Sequence, residues 1–143
     1  MKLSLPFIFL LLTSCAQASD KKISPENNPH GFGTPEWEKH ETCLHTADLT
    51  KINAESVATL KEFNQEQKRR SILKTMGREP LNENTVNDLL DRNRIKMALE
   101  HEKAPQEAFN KMWEYCMGFS VKEHYYKDDR LEDVKALEDI DGM

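Results

Sequence analysis

The sequence predicts an all-α fold, a small bundle of about four helices closed by one disulfide, and three observations carry that prediction. Apolar residues recur three or four positions apart in several segments, each bounded by helix start or stop signals. Glycines number only five and β-branched runs are few, which disfavours sheets. Two cysteines, Cys43 and Cys116, lie near opposite ends of the periodic region, where a bridge would fasten the first helix to the fourth.

The elements follow in order. Thr34-Pro35-Glu36-Trp37 offers a capping hydroxyl, a proline at the first helical position and an acid near the positive helix end, so the folded domain is expected to span 34–127 with its first helix opening there. Trp37, Cys43 or Leu44, and Ala47 keep helical spacing. A second run goes through Val57, Leu60, Phe63, Ile72, Leu73 and Met76 until Gly77 and Pro80 end it. These two runs read equally well as one bent helix or as two. A third helix reads from Thr85 through Val86, Leu89, Leu90, Met97 and Ala98 and stops before Pro105. The fourth opens at Pro105 and places Phe109, Met112, Trp113, Cys116 and Ser120 on one stripe, the strongest amphipathic pattern downstream of the leader. Residues 128–143 form an acidic tail in which Leu131, Val134, Leu137 and Ile140 fit either a short helix or a frayed end. Trp37 and Trp113 are expected near the bridge as core packing.

Ahead of this domain, Lys2 precedes the apolar run Leu3 to Leu12, which is followed by Thr13-Ser14-Cys15-Ala16-Gln17-Ala18, the pattern of an export signal over residues 1–18. The run falls far short of the roughly 20 residues a membrane-spanning helix needs. Two exit sites overlap. Leu12-Thr13-Ser14-Cys15 resembles the lipobox of bacterial lipoproteins, and Ala16-Gln17-Ala18 resembles the small-x-small site of ordinary signal peptidase. The lipoprotein resemblance implies cleavage before Cys15, acylation of Cys15 and tethering at a membrane surface. Several acyl chains anchor stably where one does not. Ala16, rather than Asp, after Cys15 implies by the same resemblance an outer-membrane tether facing the periplasm of a Gram-negative cell. The alternative cut after Ala18 discards Cys15 and gives a soluble periplasmic or secreted protein. Residues 19–33, with Pro25, Asn27, Asn28, Pro29, Gly31 and Gly33, have the composition of a flexible linker.

Export and cysteine count agree. Once Cys15 is removed or lipidated, Cys43 and Cys116 remain in an oxidising compartment, and one disulfide is the simplest expectation. No Cys-x-x-Cys is present, which disfavours a thioredoxin-type redox enzyme and excludes covalent c-type haem on pattern.

The charge is unevenly spread. From Ala16 onward the net charge is −6, and residues 128–143 account for −5 of it, so the body is near neutral and not a nucleic-acid binder by composition. Residues 61–78 run the other way at +4, with Lys61, Lys68, Arg69, Arg70, Lys74 and Arg78 against Glu62 and Glu66. Such a run is ordinarily a solvated helix face; its functional reading is a patch for an anionic partner.

Catalytic patterns are weak. His40-Glu41-Thr42-Cys43-Leu44-His45 looks like a His-Glu-x-x-His zinc motif, but its histidines are five apart and point about 140° away from each other on a helix. Glu36 with His40 and Glu41 with His45 are i,i+4 pairs that suit surface ion pairing as well as metal binding, and no metal site is expected. There is no Gly-x-Ser-x-Gly, no suitable Ser-x-x-Lys and no phosphate loop, so no catalytic residue and no cofactor is assigned. His30, His101 and His124 have no partner visible in the sequence. The expectation is a non-enzymatic interaction protein of the bacterial cell envelope whose partner is an envelope protein or an anionic surface. The alternatives are a soluble periplasmic ligand- or metal-binding protein and, less favoured, an envelope hydrolase.

Overall fold

In the computed structural model, which describes residues 23–81 and 84–141, the first helix α1 (Pro35–Ala58) begins where the proline and capping hydroxyl direct. Thr34 Oγ1 accepts the Trp37 amide at 3.3 Å, closing one of the open donors of the first turn. The leader, its two exit sites and Cys15 lie outside the described residues.

The two periodic runs are separate helices. α1 ends at Thr59, and α2 (Gln65–Met76) starts from Asn64, whose side chain accepts the Gln67 amide while Gln67 reaches back to the Asn64 amide, both at 2.9 Å. Gly77 terminates α2 in the left-handed region at φ 72°, a conformation that favours glycine. α3 (Val86–Glu100) is capped by Thr85, and α4 (Pro105–Met117) opens on Pro105. Ser120 lies outside the α4 stripe. It is the N-cap of a short helix α5 (Val121–Tyr125), with Glu123 completing a second capping box. The acidic tail takes the helical alternative as α6 (Leu131–Asp141).

The fold class is therefore as the sequence predicts, a helical bundle with one disulfide, Cys43 to Cys116, at a Cα separation of 5.4 Å. Its core divides into two clusters. Cys43, Ala47, Val86, Leu90, Phe109, Met112 and Cys116 form the first, with Leu44, Trp113 and Leu131 packed against it. Ala54, Val57, Ile72, Ile95, Ala98 and Ala108 form the second. Later residues of both α1 and α3 thus meet the second cluster, so these helices run parallel. α4 traverses the clusters in the opposite order, and α2 runs back along α3, from Lys68 paired with Glu102 just past its end to Arg78 paired with Asp88 near its start, giving up-down-up-down topology.

The segment read as a linker is pinned from Ser24 onward. Ser24 and Asn27 pair across a tight turn, the His40 ring contacts the Ser24 carbonyl at 2.6 Å, and Asn28 donates to the Trp37 carbonyl and to Glu41 at 3.3 and 3.0 Å. A Pro- and Asn-rich composition suits a tight turn as well as a tether, and here the local hydrogen bonds decide. Phe32 lies on Trp37 with ring centroids 4.6 Å apart, while Trp113 packs by the disulfide cluster, against His40. Only Trp113 holds the place beside the bridge expected of both tryptophans.

Candidate partner-binding face

Most of the basic run 61–78 is consumed by ion pairs. The Lys68 side chain is only 8% exposed and its ammonium donates to both Glu102 oxygens at 2.8 and 3.0 Å. Arg69 meets Glu66 at 3.1 Å and Glu79 at 3.6 Å, and Arg70 meets Glu66 at 3.2 Å. Hydrogen bonding from Arg69, reinforced by Arg70, holds the Glu66 carboxyl below its ordinary value. Arg78 bridges Asp88 and Asp91 on α3 at 2.5 and 2.7 Å. Lys61 and Lys74 are exposed and make no ion pair among the described residues.

These two lysines flank the elbow between α1 and α2. Phe63, 43% exposed, stands there with an open cleft on either side. One cleft, about 370 Å³, is lined by Phe63, Gln67, Arg70, Ser71 and Lys74. The other, about 330 Å³, is lined by Thr59, Leu60, Lys61, Glu62 and Phe63. Local chemistry keeps the ring out: a residue just before an N-cap ordinarily packs on an apolar residue at the fourth helical position, and that position is Lys68, turned inward to Glu102.

A second candidate lies over the disulfide, where a cleft of about 220 Å³ is lined by Glu38, Lys39, Thr42, His124, Tyr125 and Lys127, among others. His124 Nε2 is 2.9 Å from the Cys116 carbonyl and 3.7 and 3.8 Å from the two sulfurs. Burial pushes the His124 ring below the ordinary histidine value, against the Cys116 carbonyl contact and the Glu123 charge; Lys39 and Lys127 add to the lowering. Lys39 is likewise lowered, mainly by burial, with Glu123 opposing. His124, Cys43 and Cys116 place three donor atoms within 4.8 Å, the ligand types of a soft-metal site, but sulfurs joined to each other offer no thiolate. The Glu-His pairs are not gathered with them: His40 is buried and His45 is exposed.

A histidine lowered by burial binds its proton more weakly folded than unfolded, so its contribution is complete above the ordinary value of 6.5 and is lost as pH falls below it. Denaturant unfolding at pH 7.5 and 5.5 is expected to show His124→Gln losing less stability on acidification than the unmodified protein. Equal losses would remove His124 as a source.

Sequence reasoning missed His124 because its partners are 81 and 8 residues away and a fold is needed to bring them together. No protein-family model matches this chain, and no curated protein or solved structure matches it.

Proposed function

We propose that this chain is an exported, membrane-tethered, non-enzymatic interaction protein of a bacterial cell envelope, and that its α1–α2 elbow contacts an anionic surface. The observation that carries the reading is Phe63 standing exposed between Lys61 and Lys74, cations of the basic run that make no ion pair among the described residues, with Arg70 beside them. An aromatic ring among lysines suits a lipid headgroup layer: the ring enters the acyl boundary while ammonium groups meet phosphates. The tether rests on Cys15, which the lipobox resemblance makes the acylated residue. Among the described residues no helix is long and apolar enough to cross a membrane.

One experiment tests tether and face together. Cys15→Ser should move the protein from membranes to the soluble fraction, and the released protein should sediment with vesicles containing anionic phospholipid but not with zwitterionic ones. Lys61→Glu, Arg70→Glu and Lys74→Glu together should reduce that sedimentation severalfold, most at low salt, with helical circular dichroism unchanged because these side chains are exposed. A membrane fraction indifferent to Cys15→Ser removes the tether; vesicle binding indifferent to the triple reversal removes the face. Lys68 is unsuitable for such a reversal, being buried against Glu102.

A catalytic reading has one observation behind it, the Lys39 and His124 side chains lining the cleft over the disulfide, both lowered by burial. Turnover of an envelope substrate, abolished by His124→Gln in a folded protein, would establish that reading instead.

A further inference from the structure

The cleft over the disulfide has Thr42, the residue before Cys43, and His124 in its wall. His124 Nε2 stands almost equally far from the two sulfurs, 3.7 Å from Cys43 Sγ and 3.8 Å from Cys116 Sγ. Tetrahedral Zn²⁺, with Zn–S about 2.3 Å and Zn–N about 2.0–2.1 Å, sets each sulfur–nitrogen edge at about 3.5 Å. Two of the three edges of a Cys₂His ligand triangle are therefore present to within about 0.3 Å while the cysteines are still bonded to each other. The third edge, sulfur to sulfur, is about 3.8 Å in such a site. Cα atoms 5.4 Å apart allow it by rotation about the two Cα–Cβ bonds once the covalent bond is gone.

The imidazole is held in that place. Ser120 and Glu123 cap the short helix α5 that carries it, and the Phe119 ring stands edge-on to it with centroids 6.2 Å apart. In the disulfide form Nε2 donates to the Cys116 carbonyl, and Nδ1 is buried without a hydrogen-bond partner. To ligate, Nε2 must pass its proton to Nδ1. The Cys116 carbonyl then keeps the Phe119 amide at 3.3 Å, and the ring has one unsatisfied nitrogen before and after, so the change of tautomer adds no orphan group. Among the described residues no further His, Cys, Asp or Glu joins these three donors, which leaves a fourth position for water.

We propose that Cys43, Cys116 and His124 form a Zn²⁺ site in the reduced protein, so that disulfide and metal are alternative ways of fastening α1 to α4. A dithiol donor supplies two electrons and two protons to the Cys43–Cys116 bond and becomes a disulfide itself. Zn²⁺ then displaces the two thiol protons and binds both thiolates with the neutral imidazole. The proposal goes beyond the elbow reading and shares no residue with Lys61, Phe63, Arg70 or Lys74, so either can fail alone.

The test uses the soluble mature protein, reduced with dithiothreitol that is then removed without air, and Zn²⁺ alone. Calorimetry should give saturable binding of one Zn²⁺ per chain, and Co²⁺ in its place should show sulfur-to-cobalt charge-transfer bands with tetrahedral d–d bands; the oxidised protein should give neither. His124→Gln should weaken Zn²⁺ binding by roughly tenfold or more and change the Co²⁺ spectrum. His124→Cys should restore tight binding, since a thiolate is also a zinc ligand, and His45→Gln should leave both readouts unchanged. If reduction alone melts the helices, Zn²⁺ should bring back the helical circular dichroism, because binding is then coupled to folding. Reduced protein that takes up no Zn²⁺, that stays unfolded in its presence, or that binds it no more tightly than His124→Gln does would overturn the proposal.

Discussion

Replacing Cys43 and Cys116 together by alanine is expected to lower unfolding free energy by about 4 kcal/mol, because the bridge closes a loop with a sequence separation of 73 and its loss releases that constraint on the unfolded chain. Against the roughly 5–15 kcal/mol total of a typical domain, this is a large share. The double replacement is the suitable variant, since it leaves no lone thiol. Both cysteines are fully buried among Phe109, Met112 and Leu90, so some packing is lost as well. Urea unfolding of the oxidised protein and of the double variant measures the difference. A change under about 1 kcal/mol would show that the unfolded chain is already constrained near these positions, which is how measured bridge contributions fall below the chain-entropy value.

Glu102→Gln is expected to cost about 3 kcal/mol, because it leaves the Lys68 ammonium with its carboxylate gone and little water to replace it. The paired change Lys68→Met with Glu102→Leu should recover most of that loss, since removing both charges also removes their desolvation penalty. The single and paired variants, unfolded side by side, separate a necessary partnership from a stabilising one. A mild effect of Glu102→Gln alone would mean that water reaches Lys68 and that the residue belongs to the exposed basic face after all. Either outcome bears on the elbow, because the inward turn of Lys68 is what denies Phe63 its usual apolar neighbour.

Much of the fold was legible because its signals are local. The caps at Thr34 and Thr85, the opening of α4 at Pro105 and the stop at Gly77 each follow from one or two residues, and the helices occur where those residues put them. The break between α1 and α2 was readable in principle from Asn64 and Gln67, a capping pair with no glycine or proline beside it. Hydrophobic spacing alone runs on through Leu60 and Phe63 and hides it. The site was less legible because charge in a sequence carries no direction. Lys68, Arg69 and Arg70 are consecutive, yet rotation about the helix sends the first into the core and leaves the third in solvent. The acids that neutralise Arg78 and Lys68 come from α3 and from the turn after it. Arg92 and Lys96, on α3, lie outside the run altogether and come beside Arg69 through packing.

The division of the core into two clusters has a consequence for how the molecule breathes. The covalent link sits in the cluster at the Cys43 end, together with the fully buried Met112 and Val86. α2 is attached at the other end, and Ile72 and Lys68 are its only buried side chains. Opening of that end frees Ile72, Leu73 and Met76 and breaks the Lys68–Glu102 pair but strains no covalent bond, so α2 can detach before the Cys43 end does. The elbow lies at that looser end, and an occupant there would meet a surface that adjusts to it while the far end of the domain stays rigid.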